Sequence, residues 1–208
     1  MARTWFGMAV VGMLWLLTAN AAAQKYEIGG SIGRMFVSDQ GVVGADPSNP
    51  NLHFGNGLTY EATFGRRFFD IGLISLTAEV PFAITPTEKL NFGVNVVPKS
   101  YRAFFVTPAA RVNLFPTTNF SPWVSFGGGF GHFSASSTLE FGGANPGATG
   151  TTTGVFQSGA GLDVKVLPTL KLRAEFRDFY SGVPQLNVDT GKSRQHNMFV
   201  GGGVVFSF

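Results

Sequence analysis

The chain has no cysteine, which excludes a disulfide scaffold, thiolate metal sites and cysteine nucleophiles. It is also short of charge. Asp, Glu, Lys and Arg make up 13% of its 208 residues, against about 25% in ordinary soluble domains. A net charge of +3 drawn from so few groups forms no basic stripe, so nucleic acid is not expected as a partner. Long apolar runs are missing too: nothing between Gln24 and Phe208 reaches eighteen consecutive apolar residues, so no spanning helix is expected there. What is plentiful is glycine, with 28 residues, and phenylalanine, with 22. An aromatic-rich chain with little charge is not a disordered one.

The N-terminus has its own character. Arg3 precedes an apolar run from Met8 to Leu17, followed by Thr18-Ala19-Asn20-Ala21-Ala22-Ala23. A positive start, a short apolar stretch and small residues before cleavage form a secretory signal peptide. Cleavage is expected after Ala23, which divides the chain into a signal peptide over 1–23 and one domain over 24–208.

The domain alternates its side chains at period two, the spacing of strands. Eight segments are expected, at 25–37, 57–68, 71–82, 101–115, 122–134, 154–167, 169–180 and 196–208. The connections alternate in length. Long ones cover 38–56, 83–100, 135–153 and 181–195, and short ones fall at Phe69-Asp70, Pro116 to Ser121 and Pro168. Short turns at one rim and long loops at the other describe an up-and-down antiparallel meander.

Even positions form one face in all eight segments, with Leu58, Tyr60, Phe64, Leu76, Phe82, Val112, Val200 and Val204 among them. Only Arg34, Arg66, Arg102 and Asp178 place charge there, each near a strand end. The odd face carries five acids, Glu27, Glu61, Glu79, Asp163 and Glu175, and five bases, Arg111, Lys165, Lys171, Arg173 and Arg177. Between them lie small residues such as Gly29, Gly33, Gly201 and Gly203. Alternation alone fits either a soluble β-protein with an apolar core or a membrane barrel with a charged lumen. Three features favour the membrane. The polar face is rich in glycine, aromatics on the apolar face gather near strand ends, and the segments exceed the roughly 5–6 residues of soluble strands. The fold expected is therefore all-β: an eight-stranded antiparallel up-and-down transmembrane β-barrel.

The last segment, Val200-Gly-Gly-Gly-Val204-Val-Phe206-Ser-Phe208, resembles the terminal strand of small outer-membrane barrels of the OmpA/OmpX type. The resemblance implies a place in the bacterial outer membrane, among its lipids. It also implies that the outer-membrane assembly machinery reads Val204, Phe206 and Phe208. No peptidoglycan-binding domain follows the barrel here, so tethering to the cell wall is not expected.

Sites of chemistry are scarce. The glycine clusters at 127–131 and 201–203 do not match a phosphate-binding loop, and no helical pattern follows them. His53, His132 and His196 lack the spacing of metal ligands. His132-Phe133-Ser134 resembles the His-x-Ser of outer-membrane lipid A deacylases, which would need an acid such as Glu140 to complete a hydrolytic trio. The spacing of that acid does not match. No catalytic residue, metal or cofactor is expected, and the chain is read as a monomer. The ten odd-face charges are expected to pair and close the lumen, since an eight-stranded barrel is just wide enough for side chains to fill; a narrow passive channel for ions or small solutes is the alternative. The function expected is structural, in envelope integrity, with long outer loops available for adhesion or recognition.

Overall fold

A computed structural model of the protein describes residues 25–208; the expected signal peptide and its cleavage at Ala23 lie outside them. Eleven strands form one closed wall: β1 (Tyr26–Val37), β2 (Gln40–Gly41), β3 (Asn51–Phe54), β4 (Asn56–Asp70), β5 (Ile74–Asn91), β6 (Ser100–Val106), β7 (Ala109–Leu114), β8 (Phe120–Ala135), β9 (Gly150–Leu167), β10 (Leu170–Gly182) and β11 (Arg194–Ser207). Eight staves make the barrel. β6 and β7 share one stave, and β2 and β3 extend the wall beyond its outer rim. Every neighbouring pair is antiparallel, and β1 pairs with β11 from Glu27↔Ser207 to Val37↔Asn197, which closes the ring.

The even and odd faces separate as the alternation requires, and their environments settle which way round the wall is built. Arg111 and Arg177 are 1% and 0% exposed, whereas Phe126 and Phe156 are 57% and 55% exposed. Ile28, Ile32, Phe64, Val124, Leu172 and Val200 also face out. A soluble protein would bury that set and solvate the arginines. Charge inside and an apolar belt outside is the build of a transmembrane barrel. Of the outward charges, Arg34 donates to the Asn56 carbonyl at 2.7 Å. Arg66 lies over the rings of Tyr26 and Phe68 at 5.5 and 5.2 Å.

The strand boundaries shift from those expected in three places. The first short turn is Ile71-Gly72-Leu73, not Phe69-Asp70, which still belong to β4. Gly72 turns the chain at φ +80°, and its N–H donates to Asp70 Oδ1 at 2.9 Å. Second, β5 runs on to Asn91, so much of the expected 83–100 loop is wall. Third, the 38–56 loop contains β2 and β3 and pairs back onto β5 through His53↔Asn91 and Phe54↔Leu90. Proline within a strand calls for a bulge or distortion at Pro108. The wall is interrupted there at Thr107-Pro108, yet without a bulge, because Val106↔Phe130 and Ala109↔Gly127 keep one register. That register sets Pro81 opposite Thr107 and Pro108 opposite Gly128. The Thr107 N–H donates to the Pro81 carbonyl at 3.2 Å and the Gly128 N–H to the Pro108 carbonyl at 3.1 Å. Neither proline has an N–H to return.

The long loops are knitted together. Lys99 N–H donates to Thr138 O and Glu140 N–H to Val97 O, each at 3.0 Å. The Glu140 carboxylate accepts the Phe92 N–H at 3.0 Å. Asn187 Nδ2 reaches Val96 O at 3.1 Å, and Val43 N–H reaches Asp189 O at 2.8 Å.

Candidate functional site

The lumen gathers most of the paired charge among the described residues. Arg177 on β10 holds three carboxylates from three staves: Glu61 at 3.0 Å, Glu79 at 2.9 Å and Glu175 at 3.1 Å. Arg111 on β7 reaches Glu79 at 3.3 Å and Asp163 at 3.8 Å, and it also pairs with Glu27. Arg173 grips Asp163 with two parallel bonds of 2.8 and 2.9 Å, the planar fork that only a guanidinium offers. At the turn end, Lys171 and Arg67 meet Glu27 at 2.7 and 3.0 Å.

Nine of the ten odd-face charges singled out in the sequence enter this network, and Lys165 does not: it is exposed at the turn-side rim. Arg67 is a member that those ten leave out, although its odd number in β4 places it on the inner face. Trp123 is another. Its ring lies beneath Arg173 and Arg177 at 5.0 Å and Arg111 at 5.8 Å, and its Nε1–H donates to Asp163 Oδ1 at 3.1 Å. Odd parity in β8 puts the indole in the lumen, but its use as a platform for three cations has no signature in sequence. Trp123→Phe keeps an aromatic face and removes the donor to a carboxylate, so it should cost about 1.5–3 kcal/mol in urea unfolding.

The charges are unevenly spread along the axis. Arg111 and Glu79 link two clusters. Toward the turns lie Arg67, Lys171 and Arg173 against Glu27 and Asp163; toward the loops lies Arg177 against Glu61 and Glu175. With Asp70, which Arg67 also meets at 3.1 Å, the turn side sets three bases against three acids, and the loop side sets one base against two acids. Chemically the network can brace the wall, because removing a partner from a buried pair strands its mate.

Above it the lumen turns apolar. Phe105 stacks on Phe179 at 4.9 Å and meets Phe133 edge-on at 5.7 Å, while Tyr101 meets Phe133 at 5.8 Å. Met35 and Phe199 complete this layer, and Leu52, Phe92, Val97 and Leu186 close over it from the outer loops. The lumen is filled at both levels.

The histidines stand apart from the lumen. His132 faces outward and its Nδ1 meets the Thr152 hydroxyl at 2.8 Å, not an acid. Glu140, the carboxylate that a hydrolytic trio would need, is engaged with the Phe92 amide. His53 pairs with Asp39, and His196 with Asp178, each at 2.6 Å on the outer surface. Among the described residues no group of three or more His, Asp or Glu is placed to hold a metal ion.

The terminal strand is tied in at both sides. Phe208 and Tyr26 exchange two backbone hydrogen bonds of 2.9 Å, and their rings stack at 6.0 Å.

No protein-family model matches the sequence, and no curated protein is significantly similar to it. Solved structures do match. Neisserial surface protein A is 15% identical, with 88% of this chain and 97% of that one covered at a TM-score of 0.57. The outer membrane protein OprG from Pseudomonas aeruginosa is 9% identical, with 89% and 96% covered at 0.54. The fold is that of the small outer-membrane barrels. The N-terminal β-barrel domain of Pseudomonas aeruginosa OprF is also similar, at 14% identity, 89% and 98% coverage and a TM-score of 0.50. This barrel thus has the OmpA/OmpX-like architecture that its last strand resembles.

Proposed function

We propose that the protein is a closed, monomeric barrel of the bacterial outer membrane, structural in the envelope and without catalysis, whose outer loops serve adhesion or recognition. The filled lumen carries this reading: an ion-pair network lies below an aromatic layer, and loop side chains are packed over both. With the interior occupied, the surface open to a partner is the loop crown, where Val43, Val94, Val96 and Phe141 are exposed. Knitted loops present such a surface at less entropic cost than free ones. The partners on the other sides are outer-membrane lipids around the apolar belt and the assembly machinery at Val204, Phe206 and Phe208. The lipid A hydrolase reading loses its support with the acid absent from His132.

Residues 24–208, refolded into a planar bilayer with folding checked by an unboiled gel shift, should show no steady openings. Reproducible openings would overturn the closed barrel and make the lumen charges a pore lining. Substitutions at Arg173 and Glu175 would then alter ion selectivity.

A further inference from the structure

Among the described residues, one buried acid has no base. On β5 the outward residues are apolar through Ile84 and then change to Pro86, Thr87 and Lys89, so Glu88 lies beyond the lipid-facing belt. A register shift between Thr85 and Glu88 reverses the parity of the strand. It turns Glu88 inward to 1% exposure, although its even number would face it out. Oε2 accepts the Gly57 N–H at 2.9 Å, and Oε1 has no partner. Two glycines make the space: a Cβ on Gly57 would stand 2.5 Å from Oε2, and one on Gly55 would stand 3.0 Å from Oε1.

Among the described residues no cation answers it from any side. β6 presents the Tyr101 phenol, β4 presents Gly57 and Thr59, and β1 presents Met35 beyond Gly57. β11 presents Gln195 and Asn197 at the same outer end. His53 of β3 is half-exposed and paired with Asp39, and Lys89 points out. Burial pushes the Glu88 carboxyl up to about 7, with the Gly57 N–H opposing. The end of β5 that carries this acid also carries the outer mouth. Gly55 N–H donates to Lys89 O at 3.0 Å, β3 pairs at Leu90 and Asn91, and Phe54 meets the Tyr101 ring at 6.3 Å.

We infer that Glu88 is a proton-operated latch on the outer mouth: uncharged, it lets β3 and the start of β4 sit closed against β5, and ionised, it draws in water and loosens them. The sign follows from burial. The closed form binds the proton more tightly than an opened one, so closure is favoured at low pH and lost as pH rises through the carboxyl's own titration. The surface formed by residues 38–55 would then differ between acidic and alkaline surroundings.

The test is nuclear magnetic resonance of the refolded barrel in lipid nanodiscs between pH 5 and 9. The Gly57 amide, bonded to the carboxylate, should titrate with a midpoint near 7, and the amides of 51–57 should gain mobility above it. Glu88→Gln should abolish the curve and keep 51–57 rigid at pH 8.5. His53→Asn, which removes the nearby imidazole, should leave the Gly57 curve in place. A flat Gly57 shift, a midpoint below 5, loss of the curve in the His53 variant, or equal mobility of wild type and Glu88→Gln at pH 8.5 would each overturn the latch. The wild-type titration decides the matter even if Glu88→Gln fails to fold.

Discussion

Replacing Arg177 by methionine should cost the barrel about 3–5 kcal/mol, the range for removing one partner of a buried ion pair. The residue is fully buried and, among the described residues, is the sole base on Glu61 and Glu175, while Glu79 keeps Arg111. Methionine fills most of the volume but leaves carboxylates facing one another in a space with little solvent, where mutual repulsion adds to lost attraction. Arg177→Lys should lose less, because the charge remains while the fork does not. Adding Glu61→Gln to the methionine variant should recover part of the loss, since it removes one stranded charge. Urea unfolding of the refolded barrel reads all three. A methionine variant as stable as wild type would mean that the network contributes nothing to closure.

The second large effect concerns neighbouring glycines on β11. Gly203 faces the lumen, and a Cβ there would lie 2.0 Å from the Gly30 carbonyl oxygen and 2.6 Å from the Ser31 Cα. Both obstacles are backbone, so no rotamer change relieves them. Gly202 faces the other way, with its nearest neighbour, the Arg173 carbonyl, at 3.4 Å. Gly203→Val should therefore cost at least about 3 kcal/mol, the upper range for overpacking, and weaken or abolish the fast-migrating band on an unboiled gel. Gly202→Val, outward among lipid-facing residues, should fold with a stability change of roughly 0.5 kcal/mol or less. The contrast tests the register at the β1–β11 seam, where Ser31 meets Gly203 and Ile32 meets Gly202. A valine tolerated at 203 but not at 202 would place the seam one residue out.

How much of this could be read from the sequence depended on the period. Alternation at period two puts Glu27, Arg111 and Arg177 on one face because a strand's side chains can point only two ways. It says nothing of Glu88, which falls in the expected 83–100 loop and which the structure places on β5. At Glu88 the register shift turns an even residue inward, and nothing in Pro86-Thr87-Glu88 announces that. Parity could not say which face meets lipid, since the same alternation serves both builds; the burial of Arg111 beside the exposure of Phe126 decides it. The expected turn at Phe69-Asp70 overlooked Gly72, whose positive φ is the stronger punctuation. Two partners of Arg177, Glu61 and Glu79, come from other staves, and contacts across a ring at such separations are set by closure and register rather than by local pattern. Odd parity puts Phe105, Phe133, Phe179 and Phe199 on the inner face, but their meeting in one apolar layer is set by closure for a similar reason. Its members sit on four staves, and on each they look like isolated exceptions on a polar face.

Between residues 24 and 208 Trp123 is the only tryptophan, and it touches cations from β7 and β10 and an acid from β9. Small barrels commonly carry their indoles in the interfacial girdle, where emission reports arrival in lipid. Here the indole is screened from lipid by the wall and responds instead to the meeting of three staves behind it. The intrinsic fluorescence of residues 24–208 is thus a clock for interior assembly, running separately from the gel shift that times closure of the cylinder. Any interval between the two signals measures how long the wall stands before its charges find one another.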